Sequence, residues 1–435
     1  MNVGCIPTKA LVRTAELIHL ARRPENAEFG FTVRGVDVDF PRVIARKDAV
    51  VAGVVNRLTR SLESTERLDL VRGTARFIDK RTLAIDGERH LAASAIVVAT
   101  GSRPSRPAIP GAQETGYLTS ASIMAVERLP RRLVVVGAGP IGMEFAQMFA
   151  RFGSRVTVLF RGDRVLPRED PEIGAALTAY LSKEGLEMVP RASVLRMERA
   201  QAGDNDAARV VVAKVDGEER HFPADEVLLA IGREPNATAL GIARAGIATT
   251  REGWVEVDST MRTSAVGVFA VGDAIGHASG SQLYTHVAVA EGGIAARNAC
   301  DGGGERFDAT VVPGAVFTEP EVARVGLTEA EARASGYKPV SATYPFAKIG
   351  RARAMGERDG IIKVVVDEAS GRILGAHLFG PNAGEIVHVV ATAMSTETRS
   401  AQPILDAIFI HPTLAEGVQS AFEELLSAMP ARMAH

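Results

Sequence analysis

The chain has 435 residues, of which 46% are hydrophobic, 23% charged and 5% aromatic, so it is long enough for about two to four domains with buried cores. Its formal net charge of −2, single Trp and five Tyr provide neither a basic field nor stacking platforms, which argues against nucleic acid as a partner. With only two cysteines, neither a disulfide framework nor a paired-cysteine metal site can form, so no metal is expected. The sequence has no apolar run of about 18 residues and no signal-peptide layout, which predicts a cytoplasmic protein that does not bind membranes.

The chain opens with "MNVGCIPTKALVRTAEL", in which a helix is predicted to begin at Pro7. Cys5 would then face the helix N-terminus, where the partial positive charge, together with Lys9, favours a reactive thiolate. Cys300 ends another predicted helix before a glycine-rich loop and is interpreted as an incidental thiol. Any cysteine chemistry is therefore assigned to Cys5.

Two later segments share one pattern. "AIVVATGSRP" (residues 95–104) and "EVLLAIGREP" (residues 226–235) each contain an apolar strand, a glycine, and then an arginine and a proline. The shared glycines are Gly101 and Gly232. Two dinucleotide-type domains, each closed by such a strand, would explain the repetition.

The segment "RRLVVVGAGPIGMEFAQMFARFGSRVTVLF" gives the clearest structural signal. Four apolar residues predict a buried parallel strand, and after them come a glycine-rich turn, a helix that stops at Gly153, and a second strand. The turn has the G-x-G-x-x-G spacing at Gly137, Gly139 and Gly142, which lets the backbone approach a pyrophosphate at the helix N-terminus. This context predicts a dinucleotide site; the alternative is a glycine-rich turn in an unrelated α/β unit.

The residues after the second strand bear on which nucleotide binds. An acidic side chain there would accept hydrogen bonds from the adenosine ribose, whereas this chain has Phe160 followed by Arg161, with Arg164 nearby. Arginine would pair with a 2′-phosphate. The sequence therefore favours NADPH over NADH.

The predicted pattern of strands and helices changes in the third part of the chain. "VGVFAVGDA" is a short strand that ends in Gly272 and Asp273, and an aspartate at the carboxyl end of a strand lies where open α/β sheets bind ligands. From "VVPGAVFTEPEVARVG" onward, strands are followed by helical stretches, which predicts a separate α+β domain. Pro- and Gly-rich composition indicates boundaries near Pro110 and near residues 301–305.

"FIHPTLAEGVQ", near the end of the chain, places His411 and Glu416 five residues apart across a turn. A histidine held in one tautomer by a carboxylate can act as a general base for thiol chemistry. A purely structural His-Pro turn is the alternative.

Four motifs in this order, "NVGCIPTK", "GAGPIGMEFA", "VFAVGDA" and "HPTLAE", resemble those of the class I pyridine nucleotide-disulfide oxidoreductases. These are the two-cysteine flavoproteins that include dihydrolipoamide dehydrogenase, glutathione reductase and mercuric reductase. The similarity covers essentially the whole chain, and "REDPEIGAAL" looks most like the mercuric reductase branch. The resemblance implies an α/β fold with two Rossmann-like dinucleotide-binding domains, a C-terminal α+β dimerisation domain, and FAD with NADPH or NADH as cofactors.

The resemblance also implies a division of the chain. Residues 1–110 would be the remainder of the FAD-binding domain, residues 111–245 the NAD(P)H-binding domain, residues 246–305 the return segment of the FAD-binding domain, and residues 306–435 the dimerisation domain. A homodimer is expected in consequence.

Each matching residue is expected to have the role found in the family. Cys5 would be the redox cysteine nearer the flavin, and Lys9 would lie beside the flavin N5 edge, paired with Glu144. His411, oriented by Glu416, would reach the active site from the partner subunit.

The resemblance implies a further set of residues for the two cofactors. Thr100 and Gly101 match a turn against FAD, Asp273 matches the residue that binds the ribityl chain, and the backbone of Thr285 and His286 would meet the flavin ring. The expected cofactor-binding residues are Thr100, Gly101, Gly137, Gly139, Gly142, Arg161, Gly232, Gly272, Asp273, Thr285 and His286.

Two departures from the family pattern concern the start of the sequence. The redox motif of the family is C-x-x-x-x-C, and the partner of Cys5 would fall one residue before Met1. The first βαβ unit, whose glycine-rich turn would hold the FAD pyrophosphate, is also missing, so the FAD-binding domain is expected to be incomplete. We hypothesise that Met1 is a misassigned internal start; a single-cysteine enzyme that works through sulfenic acid is the alternative.

The predicted function is NAD(P)H:disulfide oxidoreduction through FAD and a redox disulfide that contains Cys5. The tail "EELLSAMPARMAH" lacks the cysteine pair of mercuric reductases, and His411 stands where that branch tends to have tyrosine. A lipoamide-like or other low-molecular-weight dithiol or disulfide is therefore the expected substrate, with a metal ion as the alternative. A rival prediction is a flavin-poor remnant that binds NADPH and dimerises without catalysis.

Overall fold

The computed structural model of the protein describes residues 2–87, 89–201 and 207–428. The chain divides into two compact units. The larger unit is formed by Met1–Leu58, Pro107–Ile231 and Pro313–His435, and the smaller unit by Thr59–Arg106 and Gly232–Val312. The predicted domain boundaries at residues 110, 245 and 305 stay predictions.

Helices occur throughout the described residues. The α-helices are α1 (Cys5–Arg22), α2 (Phe40–Glu63), α3 (Ala112–Thr115), α4 (Pro140–Phe152), α5 (Pro171–Lys183), α6 (Thr285–Asp301), α7 (Glu329–Ala334), α8 (Gly350–Met355), α9 (Ala383–Met394), α10 (Gln402–Leu405) and α11 (Glu416–Ala428). Among the residues that the structure describes, no helix is both long enough and apolar enough to cross a membrane.

The strands are mostly short. They are β1 (Ala75–Phe77), β2 (Thr82–Ile85), β3 (Arg89–Ala92), β4 (Ile96–Val98), β5 (Ser102–Pro104), β6 (Arg132–Val136), β7 (Arg155–Leu159), β8 (Glu187–Val189), β9 (Ala192–Arg199), β10 (Arg209–Val215), β11 (Glu218–Ala224), β12 (Glu226–Leu229), β13 (Arg233–Pro235), β14 (Val268–Ala270), β15 (Gly314–Val316), β16 (Glu321–Gly326), β17 (Pro339–Pro345), β18 (Ile361–Asp367) and β19 (Ile373–Gly380).

A four-stranded parallel sheet of order β12-β6-β7-β8 lies at the centre of the larger unit's nucleotide-type fold. The apolar run of β6 is buried, as a parallel strand between two neighbours requires. Helix α4 follows β6 directly and ends at Gly153, which adopts a positive φ of 125°. The predicted strand-turn-helix-strand unit is therefore confirmed.

Helices α1 and α2 belong to the same core. Leu11, on α1, is 1% exposed and lies in one hydrophobic cluster with α4. At the start of α2, Phe40 makes edge-to-face contacts with Phe149 and Phe152, at centroid distances of 6.1 and 5.8 Å. The hydrophobic cluster thus attaches the cysteine-bearing helix α1 to α4, the helix of the glycine-rich turn, and the Phe40 contacts attach α2 to the same helix.

The first helix begins two residues earlier than the sequence predicted. It starts at Cys5, not at Pro7, and the Thr8 N–H donates to the Gly4 carbonyl 3.2 Å away. Pro7 is then the third helical residue, where its missing N–H is tolerated because the first four N–H groups of a helix have no partner within the helix. Cys5 is consequently part of the first helical turn.

The C-terminal part of the larger unit is an antiparallel sheet of order β15-β16-β19-β18-β17. Helix α9 packs on β16 and β19, and α11 packs on β17 and β18. All eight residues of β19, the central strand, are buried. The predicted α+β domain is confirmed. A second antiparallel sheet, of order β11-β10-β9, also belongs to the larger unit.

The smaller unit contains an antiparallel sheet β1-β2-β3 and two strand pairs, one antiparallel (β5 with β13) and one parallel (β4 with β14). Its core includes Phe77, Val98, Ala270 and Ile294, the last from α6. The two segments that share a sequence pattern thus both form a strand, a glycine turn and a second short strand, and their second strands, β5 and β13, pair with each other.

Candidate functional site

The larger unit carries the candidate redox residues on α1. Cys5 is the first residue of this helix and is half-buried. Lys9 follows four residues later and therefore lies on the same side of the helix. The Thr8 hydroxyl donates to the Gly4 carbonyl at 2.7 Å, which fixes the backbone just before the cysteine.

Lys9 forms an ion pair with Glu144 of α4. The Lys9 Nζ lies 3.0 and 2.9 Å from the two carboxylate oxygens of Glu144, a residue that is only 6% exposed. The Phe317 N–H donates to the same carboxylate at 2.9 Å, and the Lys9 Nζ lies 4.2 Å from the centroid of the Phe317 ring. A charge this deeply buried is stable because an ammonium and a backbone donor compensate it together.

The glycine-rich turn between β6 and α4 has two crowded glycines and one open one. A Cβ on Gly137 would lie 2.3 Å from the Ala230 carbonyl oxygen, and one on Gly142 would lie 2.0 Å from the Gly137 carbonyl oxygen. A Cβ on Gly139 would meet no described atom within 4 Å. Gly137 and Gly142 are therefore required by the protein's own packing, whereas Gly139 leaves space at the N-terminus of α4 for an anionic ligand.

Arg161 lies just past the carboxyl end of β7. The residue before it, Phe160, is buried, whereas Arg161 is exposed. Arg164 is turned toward the protein and donates through Nη2 to the Pro167 carbonyl at 3.3 Å. Of these two arginines, Arg161 is the better placed to meet a ligand from solvent.

His411 and Glu416 are brought together as the sequence predicted. The His411 Nδ1 lies 2.9 Å from Glu416 Oε1, and the Thr413 N–H donates to the other carboxylate oxygen at 2.6 Å. These two contacts hold the pKa of Glu416 below its ordinary value. The carboxylate can therefore keep the proton on Nδ1, so that Nε2 of a side chain that is 79% exposed is the proton acceptor.

In the smaller unit, Asp273 is held by both of the repeated turns. Ser102, directly after Gly101, donates through Oγ to Asp273 Oδ2 at 2.5 Å, and Arg233, directly after Gly232, has its Nε 3.5 Å from the same oxygen. The shared sequence pattern thus supplies two side chains to one carboxylate.

Gly272 and the start of α6 form the rest of this candidate site. The Gly272 N–H donates to the fully buried Glu291 carboxylate at 2.7 Å. Burial raises the pKa of Glu291. Thr285 and His286 are the first two residues of α6 and both are exposed, and the His286 ring stacks on Tyr284 at a centroid distance of 5.2 Å.

The carbonyl groups of Thr100 and Gly101 have a common partner. Asn236 donates through its side chain to the Thr100 carbonyl at 3.0 Å and through its backbone to the Gly101 carbonyl at 3.1 Å. The Thr100 Oγ1 is buried and, among the residues that the structure describes, has no hydrogen-bond partner. An orphaned polar atom of this kind suits a ligand that can supply the missing contact.

Comparison with known proteins identifies the family. A sequence model described as "Pyridine nucleotide-disulphide oxidoreductase" matches residues 1–292, and the model of that family's dimerisation domain matches residues 312–422. The chain belongs to the pyridine nucleotide-disulphide oxidoreductase family. The resemblance that the motifs indicated is thereby confirmed.

Individual relatives of the chain fall into two groups by name. It is 34% identical to a mercuric reductase of Bacillus cereus, over 97% of this chain and 65% of the relative, so it spans about two thirds of that protein. It is 36% identical to a dihydrolipoyl dehydrogenase of Thermus scotoductus, over 98% of this chain and 89% of the relative.

Two solved structures are similar to the chain over nearly its whole length. The HOCl-induced flavoprotein disulfide reductase RclA of Escherichia coli is 31% identical, with a TM-score of 0.83 over 97% of this chain and 90% of that one. LpdA of Mycobacterium tuberculosis is 26% identical, with a TM-score of 0.86 over 98% of this chain and 90% of that one.

Members of the family use FAD and NAD(P)H, and residues of this chain fit both groups. The open space at Gly139 and the N-terminus of α4 suit a dinucleotide pyrophosphate. The buried Thr100 Oγ1 and the fixed carboxylate of Asp273 suit the hydroxyl-bearing part of FAD. The individual roles predicted for these residues stay predictions.

Sequence reasoning missed the residues that hold the predicted ones in place. Ser102 and Arg233 hold Asp273, and the Phe317 N–H holds Glu144. The repeated glycine turns were a signal for Ser102 and Arg233, because each follows a shared glycine directly. For a backbone donor such as Phe317 the sequence carries no signal.

Proposed function

We propose that the protein transfers electrons between NAD(P)H and a small dithiol or disulfide substrate, with FAD as the intermediate carrier. The observation that carries this proposal is the ion pair between half-buried Lys9, on the same face of α1 as Cys5, and the buried Glu144 of α4. It joins the helix that bears the thiol to the helix that follows the dinucleotide turn. The dimerisation-domain match supports assembly as a homodimer, and the low cysteine content suits the cytoplasm.

In this proposal the residues around the glycine-rich turn bind the nucleotide. The turn and the N-terminus of α4 hold the pyrophosphate, with Gly139 leaving room for it, and Arg161 pairs with the 2′-phosphate of NADPH. The Lys9–Glu144 pair then provides a fixed charge pattern that orients the reacting groups. Bound FAD would supply the two-electron chemistry that these side chains lack.

The thiol half of the reaction is assigned to Cys5 and His411. A Cys5 thiolate at the start of α1 attacks one sulfur of a substrate disulfide, so that a mixed disulfide forms and the other substrate sulfur leaves as a thiolate. His411, contributed by the partner subunit in the proposed dimer, delivers a proton from Nε2 to that leaving thiolate and takes a proton from the substrate thiol in the reverse direction, while Glu416 fixes its tautomer. Reduction of the mixed disulfide, with the two electrons that bound FAD would supply, then releases the second thiol and returns Cys5 to the thiolate. The exposed imidazole supports access by a small substrate.

The test combines a visible spectrum with assays of three variants of the purified chain. We expect flavin absorbance and NADPH-dependent reduction of a low-molecular-weight disulfide. Cys5→Ser should lower that activity at least about a hundredfold while flavin stays bound, and His411→Gln should lower it about a hundredfold. Cys300→Ser, which alters an exposed thiol in the smaller unit, is the matched control and should be fully active.

Three results would contradict the proposal in different ways. A colourless, inactive protein that still binds NADPH would favour the non-catalytic alternative. Reduction of mercuric ion without reduction of disulfides would replace the substrate. Full activity of Cys5→Ser would remove the thiol step from the mechanism.

A further inference from the structure

One face of α4 carries three buried polar side chains in succession. Glu144, Gln147 and Arg151 are spaced three and four residues apart, so they lie above one another on the helix. They are 6%, 3% and 7% exposed. Buried polar groups at helical spacing need partners, and all three find them in the same short segment, Phe317 to Glu319.

Gln147 binds the backbone of Glu319 in two places. Its Oε1 accepts from the Glu319 N–H at 2.8 Å, and its Nε2 donates to the Glu319 carbonyl at 2.6 Å. A single amide side chain therefore occupies both hydrogen-bonding groups of one residue, as a neighbouring strand would.

Arg151 reinforces this contact from the next turn of the helix. Its Nη2 donates to the same Glu319 carbonyl at 2.7 Å, and its guanidinium is fixed by Glu184, at 2.6 Å from Nη2 to Oε1. Gln147 Nε2 also reaches Glu184, at 3.2 Å. The backbone of Glu319 is thus held by two side chains of α4.

Phe317, two residues earlier, shares this segment and touches the Lys9–Glu144 pair directly. Its N–H donates to Glu144, and its ring lies against the Lys9 ammonium. The intervening Thr318 is 1% exposed and its hydroxyl donates to the Pro320 carbonyl at 2.8 Å, so the segment has little room to adjust. Fixing Glu319 therefore fixes the donor that holds Glu144.

We propose that Gln147 is a positioning residue for the Lys9–Glu144 pair, acting through Glu319 and Phe317. The catalytic value of this positioning rests on the function proposed above; the positioning itself does not. The alternative is a purely structural role, in which Gln147 only fills and stabilises the contact between α4 and residues 317–319.

Gln147→Met tests the proposal, because methionine keeps the volume and helix preference of glutamine but can neither donate nor accept these hydrogen bonds. The matched control is Ser154→Ala, which removes another buried hydrogen bond, from Oγ to the Pro130 carbonyl at 2.6 Å, just beyond the end of α4. Both variants should lose thermal stability.

The deciding readouts do not depend on activity. Acylation of Lys9 by an amine-reactive reagent, followed by mass spectrometry, should become about three- to tenfold faster in Gln147→Met, the factor that one or two lost hydrogen bonds would produce. Amide hydrogen exchange should rise in the peptide that contains Phe317 and Glu319. In Ser154→Ala the rate of Lys9 acylation and the rate of amide exchange should both match those of the unaltered protein. Acylation of the exposed Lys348 serves as the internal reference for reagent activity.

In protein that contains flavin, Gln147→Met should lower kcat several-fold with little change in the KM for NADPH. The positioning role would be overturned if Gln147→Met lost as much thermal stability as Ser154→Ala while its rates of Lys9 acylation and amide hydrogen exchange stayed unchanged. Faster Lys9 acylation in a protein without flavin or activity would support the positioning role and refute the proposed function, so the two failures are distinguishable.

Discussion

Strands β4 in the smaller unit and β12 in the larger unit arise from the same sequence pattern but lie in different surroundings. β12 pairs with β6 in a four-stranded parallel sheet, and its third residue, Leu228, is 0% exposed. β4 pairs with β14 in a sheet of two, and the equivalent residue, Val97, is 41% exposed. The apolar pattern thus determines the strand and its turn, whereas the surrounding elements determine how much of it is buried.

The polar residues at the strand ends of the two units differ as well. Asp273, after β14, is held by Ser102 and Arg233, and Arg161, after β7, is exposed to solvent. One strand end therefore presents a carboxylate fixed by neighbours and the other a guanidinium that is available to a ligand. A carboxylate at the end of β14 suits the hydroxyl groups of FAD proposed for the smaller unit, and a guanidinium at the end of β7 suits the 2′-phosphate of NADPH proposed for the larger unit.

Truncation of the two equivalent strand residues should give the largest difference. Leu228→Ala is expected to lower the free energy of unfolding by about 2–5 kcal/mol, because it leaves a cavity in a sheet covered on both faces. Val97→Ala should cost less than about 1 kcal/mol, because its side chain is already partly in water. Urea unfolding followed by circular dichroism measures both; equal losses would mean that another surface covers Val97 in solution.

Carboxyl groups in the two units should give the stability of the protein opposite dependences on pH. Burial raises the pKa of Glu169, in the larger unit, from its ordinary value of 4.5 to about 7. The folded protein then holds a proton that the unfolded chain has lost, so the free energy of unfolding falls as pH rises through this window, by up to about 3 kcal/mol. Glu169→Gln should remove that loss and raise stability at pH 8, with little change at pH 4.

Glu305, in the smaller unit, provides the contrast. Hydrogen bonds from Arg297 lower its pKa, and both side chains are exposed. A carboxyl group with a lowered pKa stabilises the folded state above its ordinary titration range, so Glu305→Gln should reduce stability slightly at pH 8, opposite in sign to Glu169→Gln. Variants that changed stability in the same direction would contradict the assigned protonation of Glu169.

Local sequence patterns were sufficient for the nucleotide-type fold of the larger unit. An apolar run, three glycines at fixed spacing and a helix that stops at Gly153 specify β6, the turn and α4, because each signal acts within a few residues. The start of α1 was predicted two residues late, since Pro7 is allowed at more than one position of the first helical turn.

The contacts that complete the candidate sites could not be predicted in this way. Gln147 and Glu319 are 172 residues apart in sequence, and Ser102 and Asp273 are 171 residues apart. When a residue contributes only its backbone N–H or carbonyl to a hydrogen bond, that bond does not restrict which side chain the residue carries. Such contacts follow from the packing of elements, which single-sequence periodicity does not specify.

The exposed charge at the end of β7 affects no stability but bears directly on nucleotide choice. Arg161→Gln should weaken NADPH binding about tenfold and leave NADH binding unchanged, because a charge-assisted contact to the 2′-phosphate is lost and no contact to a 2′-hydroxyl depends on it. Arg155→Gln, at the amino end of the same strand and also exposed, removes the same charge from the other end and should leave both affinities unchanged. Binding titrations with both nucleotides distinguish a local contact from a general effect of net charge, since the latter would weaken NADPH binding in both variants.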